Sequence, residues 1–355
     1  MKEIREQARK RMKGYCRVCP VCDGRACVGE VPGMGGLGTG SAFQDNIRAL
    51  SGVRLNMRCL HDVVEPDLSV SLLGFDLTLP VLAAPIGGVS FNMGGGMPEE
   101  AYILSKLEAC AHAGTLGCTG DGVPDFIHQS GFAAIKALQG RGIPFIKPWE
   151  DDELFAKLDR ALEAGASVVG MDVDAAGLVT LRKMGRPVSA RPVSQMAAVI
   201  RRTPAKFVIK GVMTVDEARM CVDAGAAGIV VSNHGGRVMD GVPGTARVLR
   251  GISNAVRGQA AVLVDGGVRS GLDVLRMLGL GADAVMIGRP FSVAVLGGGK
   301  EGAVTYLETI RQELTQCMVL TGTASARSVD PGIVWETTGP PSRHQVPPSM
   351  PGPCP

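Results

Sequence analysis

Eight short apolar runs recur along this chain, and each closes in glycine, proline or a polar residue. They are LPVLAAPIGG (79–88), AGTLGCTGDG (113–122), GIPFIKPW (142–149), ASVVGMDVD (166–174), KFVIKG (206–211), IVVSNHGG (229–236), AAVLVDGG (260–267) and ADAVMIGR (282–289). Their ends at Pro85, Cys118, Lys147, Asp172, Lys210, Asn233, Asp265 and Gly288 fall 23 to 38 residues apart. The intervals hold segments with helical character, among them EEAYILSKLEACAHAG, DDELFAKLDRALEAGA, TVDEARMCVDAGA and SGLDVLRMLGLGA. Several stop at Ala-Gly or Leu-Gly, with glycine just past the last turn. Near-continuous apolar strands suit a parallel sheet covered on its outer face. Eight strand–helix units predict a (β/α)8 barrel, with an open doubly wound sheet as the alternative.

In such a barrel, chemistry gathers where the strands end. Lys210, His234, Arg237, Asp265, Arg269 and Arg289 all lie at or just beyond strand ends, so residues spread over some 80 positions would meet at one mouth. His234 and Arg237 share the glycine-rich segment SNHGGRVMDG. A proton acceptor beside a carboxylate-binding cation suits a hydroxy or keto acid. The plainer reading is a turn with a histidine bonded to backbone. The loops DGGVRSGLD and GRPF each combine glycine with an arginine, as expected of a phosphate site after strands seven and eight. No GxGxxG opens a βαβ unit and there is no GxxxxGK[ST], so neither a Rossmann site nor a P-loop is expected.

The chain divides into a helical, Cys- and Gly-rich extension (1–56), the barrel (57–330) and a Pro-rich tail (331–355) expected to be flexible. In the extension, YCRVCPVCDGRAC sets Cys16, Cys19, Cys22 and Cys27 at C-x2-C-x2-C-x4-C. This spacing can hold a [4Fe–4S] cluster or a zinc ion, and reduced thiols without metal are the alternative. The other six cysteines are scattered, as in a reducing cytoplasm. A net charge of +3 is too mild for nucleic acid, and no apolar run is long enough to span a membrane. The charged start MKEIREQARKRMKGY lacks the apolar core of a signal peptide. Residues 88–98, GVSFNMGGGMP, are read as a long connection, with a place over a cofactor as the alternative.

The segments FVIKGVMTVDEARMCVDAGAAGIVVSNHGGRVMDGVPGT (207–245), VLVDGGVRSGLDVLRMLGLGADAVMIGRPF (262–291) and ELTQCMVLTGTAS (313–325) resemble the FMN-dependent α-hydroxy acid oxidase and dehydrogenase family. MRCLHDVVEPDLSVSLLGFDLTLPVLAAPIGG (57–88) looks like that family's entry segment and first strand. The resemblance covers roughly residues 40 to 330 and implies bound FMN and oxidation of a 2-hydroxy acid to the 2-keto acid. It implies Lys210 beside the flavin ring, His234 as the base and Arg237 on the substrate carboxylate. Ala84, Pro85, Ile86, Gly87 and Ser232 would lie near the cofactor. Asp265, Gly267, Arg269, Gly288 and Arg289 would surround its phosphate.

The departures lie in the substrate pocket. Such relatives present a Tyr before the barrel and another at the end of the third strand. Here the only tyrosines are Tyr15, Tyr102 and Tyr306, and Lys147 ends the third strand. Lys147 can meet a substrate carboxylate, or pair with Asp172 or Asp174. After strand four the relatives carry TVDTP and a downstream Arg. This chain has MDVDAAG, with Asp172 in place of the Thr, and Arg182 as the candidate substitute. The oxidant is open among oxygen, a quinone and a protein, and a homo-oligomer is expected. Two other functions compete: a non-redox FMN enzyme of the type 2 isopentenyl diphosphate isomerase kind, and an electron carrier or redox sensor built on the cysteines.

Overall fold

The structure is a computed structural model describing residues 1–335. Eight parallel strands close into a barrel in chain order: β1 (Val81–Ala83), β2 (Leu116–Thr119), β3 (Ile143–Ile146), β4 (Val168–Asp172), β5 (Lys206–Val212), β6 (Gly228–Val231), β7 (Ala261–Val264) and β8 (Ala284–Ile287). All eight predicted strands form, and closure excludes the open sheet. Strand residues such as Val168, Val230, Val231 and Val285 are fully buried, since both barrel faces are covered.

The predicted helices form at Glu99–His112, Asp151–Glu163, Val215–Asp223 and Gly271–Gly279. Two begin on hydroxyl caps: Thr214 accepts from the Glu217 amide, and Ser270 from the Asp273 amide at 3.2 Å. Asp273 in turn accepts from the Arg269 amide at 3.0 Å, which fixes the loop after β7.

A hairpin pairing Val70–Leu72 with Phe75–Leu77 approaches the start of β6, where Leu73 meets Gly228. It therefore sits at the end of the barrel opposite the mouth. At the mouth side, α1 (Lys2–Arg11) docks on the final helical segment Arg289–Thr321, which is kinked at Gly299. A Cβ on Gly297 would lie 2.1 Å from the Ile4 carbonyl oxygen, so only glycine permits that approach. The second helix, α2 (Ser41–Gly52), is clamped to the loop after β6 by polar contacts. Asn46 donates to Asn233 Oδ1 at 2.8 Å, and Asp240 accepts from the hydroxyls of Thr39 and Ser41.

The expected tail begins at residue 331, but Pro331–Ile333 form a 3-10 turn and Val334–Trp335 pair with Arg54–Leu55. Residues 336–355 lie outside the described residues. The segment 88–98 is not a plain connection: Val89–Asn92 is a helical turn, and Phe91 and Asn92 line the cleft described next.

Candidate active site

The register of β4 against β5 sets Asp172 directly beside Lys210. Immediately after, a bulge interrupts the β5–β6 ladder between Lys210 and Val212. Gly211 occupies it at φ +111°, and a Cβ there would lie 2.7 Å from the Asp174 Cβ. The bulge thus makes room for a second carboxylate next to Lys210. Lys210 Nζ lies 3.3 Å from Asp172 Oδ1, 3.9 Å from Asp174 Oδ2 and 3.4 Å from His234 Nδ1. Burial opposes the charge of Lys210, but Asp172, Asp174 and Asp265 outweigh it and hold the ammonium above its ordinary range.

His234 stands at φ +54°, a left-handed conformation steadied by its amide donating to Ser232 Oγ at 3.1 Å. Its Nδ1 is 2.9 Å from Asp174 Oδ1. Nε2 has no protein partner among the described residues, which leaves it as the nitrogen able to act on a ligand. Burial raises the Asp174 carboxyl, yet His234 and Lys210 pull it below its ordinary value. Asp172, Asp174 and His234 offer ligand atoms within 4.8 Å of one another, as a metal site would. The Lys210 ammonium already supplies the positive charge there, so a cation is disfavoured.

Lys147 is paired with Asp172 at 3.7 Å, one of the alternatives left open above. Arg182 is exposed and does not line the cleft, whereas its neighbours Thr180 and Leu181 do.

Three arginines ring the same mouth without a carboxylate partner among the described residues. Arg237 donates to the carbonyls of Gly33 and Gly35 and to Asn92 Oδ1 at 2.9 Å. Its burial, and then Arg289, oppose its charge. Arg289 donates to the carbonyls of Met34, Gly35 and Gly235 and stacks on the Phe43 ring at 3.9 Å. Arg269 Nε is buried with no partner. Unpaired guanidinium groups in such a setting favour an anionic ligand.

These groups line one cleft, floored by the segment Ala84–Gly87 and walled by Phe91, Ile127, Leu181 and Met184. Lys210, His234 and Arg237 share it with Gly267, Arg269, Gly288 and Arg289. Ser232 is fully buried just behind His234. Asp265 also lines the cleft, and its Oδ1 is buried with no partner. It lies among Lys210, Ser232 and His234, and burial pushes its carboxyl up. An elongated ligand with a phosphate at the arginine end and hydroxyls in the middle would satisfy these orphaned groups. FMN meets that description.

One supporting residue carries no sequence signal of its own. Asp121 is buried and accepts from the Lys147 amide at 3.0 Å, Trp149 Nε1 at 2.6 Å and Lys157 Nζ at 2.9 Å. It fixes the loop that carries Lys147. Cys16, Cys19, Cys22 and Cys27 are all free and half-buried. Among the described residues no three of their sulfurs lie within 4.8 Å of one another. A tetrahedral zinc site would need them about 3.8 Å apart, from Zn–S bonds of about 2.3 Å. The zinc expectation is therefore not met by this arrangement.

The fold and cleft define an FMN-binding barrel oxidoreductase. The chain belongs to the FMN-dependent dehydrogenase family, whose pattern it matches over residues 33–195 and 182–336. It is 30% identical over 340 residues to glycolate oxidase of Spinacia oleracea, covering 84% of this chain and 89% of the relative. It is 30% identical over 354 residues to L-lactate dehydrogenase of Xanthomonas campestris pv. campestris (strain 8004), covering 83% and 89%. The solved structure of mandelate oxidase with (S)-2-phenylpropionate superposes with a TM-score of 0.76 at 29% identity, covering 93% of this chain and 96% of the other. A mandelate oxidase variant carrying an FMN adduct has the same TM-score at 28% identity. The cofactor of this chain is accordingly FMN. Among the described residues no helix is long and apolar enough to cross a membrane.

Proposed function

We propose that this protein oxidises a 2-hydroxy acid to the 2-keto acid, with Arg237 holding the carboxylate and His234 taking the proton. One observation carries the reading: a guanidinium without an acidic partner shares a cleft with a histidine whose Nδ1 is bonded to a carboxylate. Asp174 holds the imidazole with Nε2 available and stabilises the charge it gains on accepting a proton. Bound FMN supplies the two-electron acceptor. Lys210 provides a fixed positive charge where the cofactor becomes electron-rich. Arg269, Arg289 and the backbone at Gly267 and Gly288 would hold the phosphate, and Asp265 the hydroxyl chain.

The substrate pocket is unlike one lined by tyrosine hydroxyls. The Lys147–Asp172 pair takes the place of a hydroxyl at the end of β3, and Leu181, Met184 and Phe91 supply an apolar wall. This favours an acid with an apolar side chain over a small polar one. The isomerase reading is disfavoured because such an enzyme has no carboxylate for Arg237 to bind. The nine described cysteines are all free, which supports a reducing, cytoplasmic setting.

The test is product formation from matched pairs. A 2-hydroxy acid with an apolar side chain should yield the keto acid. The corresponding 1,2-diol, which lacks the carboxylate, should yield nothing. Equal turnover of both would remove Arg237 from the account.

A further inference from the structure

The cysteine segment is held to α1 and to itself by contacts that the oxidation of a small acid does not use. Arg9 of α1 donates to the carbonyls of Arg17 and Val18 at 3.2 and 3.0 Å, and Arg5 reaches the carbonyl of Cys19. Arg17 grips Glu30 through two bonds of 2.8 and 2.7 Å, closing the loop from outside. The Val18 amide points at Cys16 Sγ, 3.4 Å away.

All four cysteines are free and half-buried, and the Arg17–Glu30 pair draws the stretch holding Cys16 and Cys19 toward the turn at Cys27, whose carbonyl accepts from the Glu30 amide at 3.3 Å. Positive charge borders them. Arg269 Nη2 lies 3.7 Å from Cys22 Sγ, while Arg269 Nε is buried and unpartnered.

We infer that Cys16, Cys19, Cys22 and Cys27 bind a four-iron iron–sulfur cluster beside Arg269. Among the described residues no three of their sulfurs lie within the 4.8 Å that a single zinc ion would require. A four-iron cluster instead places its thiolates on four different irons, farther apart. The run C-x2-C-x2-C is also how such clusters take three ligands from one loop. Four thiolates on the cluster leave a net negative charge, and Arg269 borders it through Nη2 at Cys22. The amide facing Cys16 adds a hydrogen bond to sulfur of the kind that tunes such centres.

The test is metal and sulfide analysis of the full-length flavoprotein, purified without air or chelator, with FMN counted separately. About four irons and four sulfides per chain are expected. Cys22→Ser should lose at least half of the iron, and Cys59→Ser, at an exposed cysteine outside the cluster, should keep it. About one zinc per chain, no metal at all, or equal iron in both variants would each overturn the inference. The wild-type count decides the matter even if Cys22→Ser does not fold. Because flavin is measured on its own, a missing cluster and a missing cofactor are told apart.

Discussion

Nδ1 of His234 lies 2.9 Å from Oδ1 of Asp174, sixty residues earlier in the chain. The contact joins the loop after β6 to the 3-10 turn that follows β4 and selects which imidazole nitrogen is free. Asp174→Asn should leave FMN bound yet lower kcat by about 10²- to 10⁴-fold, as for a general base deprived of its orienting carboxylate. His234→Ala should cost about as much, and the double variant little more, because the two act as one unit. Rates of cofactor reduction check this. Additive losses would mean that the two residues work separately.

Lys210 makes a separate prediction. It is 3% exposed, and nearby carboxylates hold its ammonium charged in the cleft proposed to take FMN. Lys210→Met should lower the reduction potential of the bound flavin by about 30 mV or more, equivalent to ~1.4 kcal/mol for a two-electron couple. Affinity for sulfite, which adds to electron-poor flavins, should fall with it. A potentiometric titration with an unchanged midpoint would remove Lys210 from the cofactor's surroundings.

How much of this was legible beforehand follows from the kind of signal each residue carries. Lys210 and His234 end apolar runs, so their convergence could be read once eight such runs were counted. Asp174 was visible as an acid at the same mouth, but not as the partner of His234. That pairing depends on the bulge at Gly211, which has no periodicity. The carbonyls of Gly33 and Gly35 on Arg237, and Asn46 on Asn233, were not legible at all. Such contacts link distant loops, and polar loop residues carry no pattern that names their partner.

Arg237 should govern affinity more than turnover. In Arg237→Met, KM for the acid should rise by about two orders of magnitude, since two charge-assisted hydrogen bonds of about 1.5 kcal/mol each are lost. Arg237→Lys should recover only part of this, because an ammonium cannot present the planar fork. Steady-state kinetics with one substrate across both variants is the measurement.

Asp45 ties α2 to the segment after β6, and it should shape the acid side of the stability profile. Hydrogen bonds from Arg247 hold its carboxyl well below the ordinary range, against the opposing effect of burial, with help from the Gly244 amide. A carboxyl depressed in the folded state contributes stability that is complete above its unfolded value of about 3.9 and is lost as pH falls toward its folded value. Asp45→Asn should cost about 1–3 kcal/mol at pH 7 and flatten the loss of stability between about pH 4 and 2. Urea unfolding at several pH values reads both effects.

The central claim is that a carboxylate-anchored hydroxy acid delivers its electrons to FMN in this cleft, with His234 as the base. Its most direct test is anaerobic mixing of the purified yellow protein with a panel of 2-hydroxy acids, followed by flavin absorbance. At least one acid should bleach the flavin in wild type, and the same acid should bleach it about a hundredfold more slowly in His234→Ala with its FMN still bound. A flavin that no 2-hydroxy acid reduces, or one reduced equally fast without His234, would contradict the account.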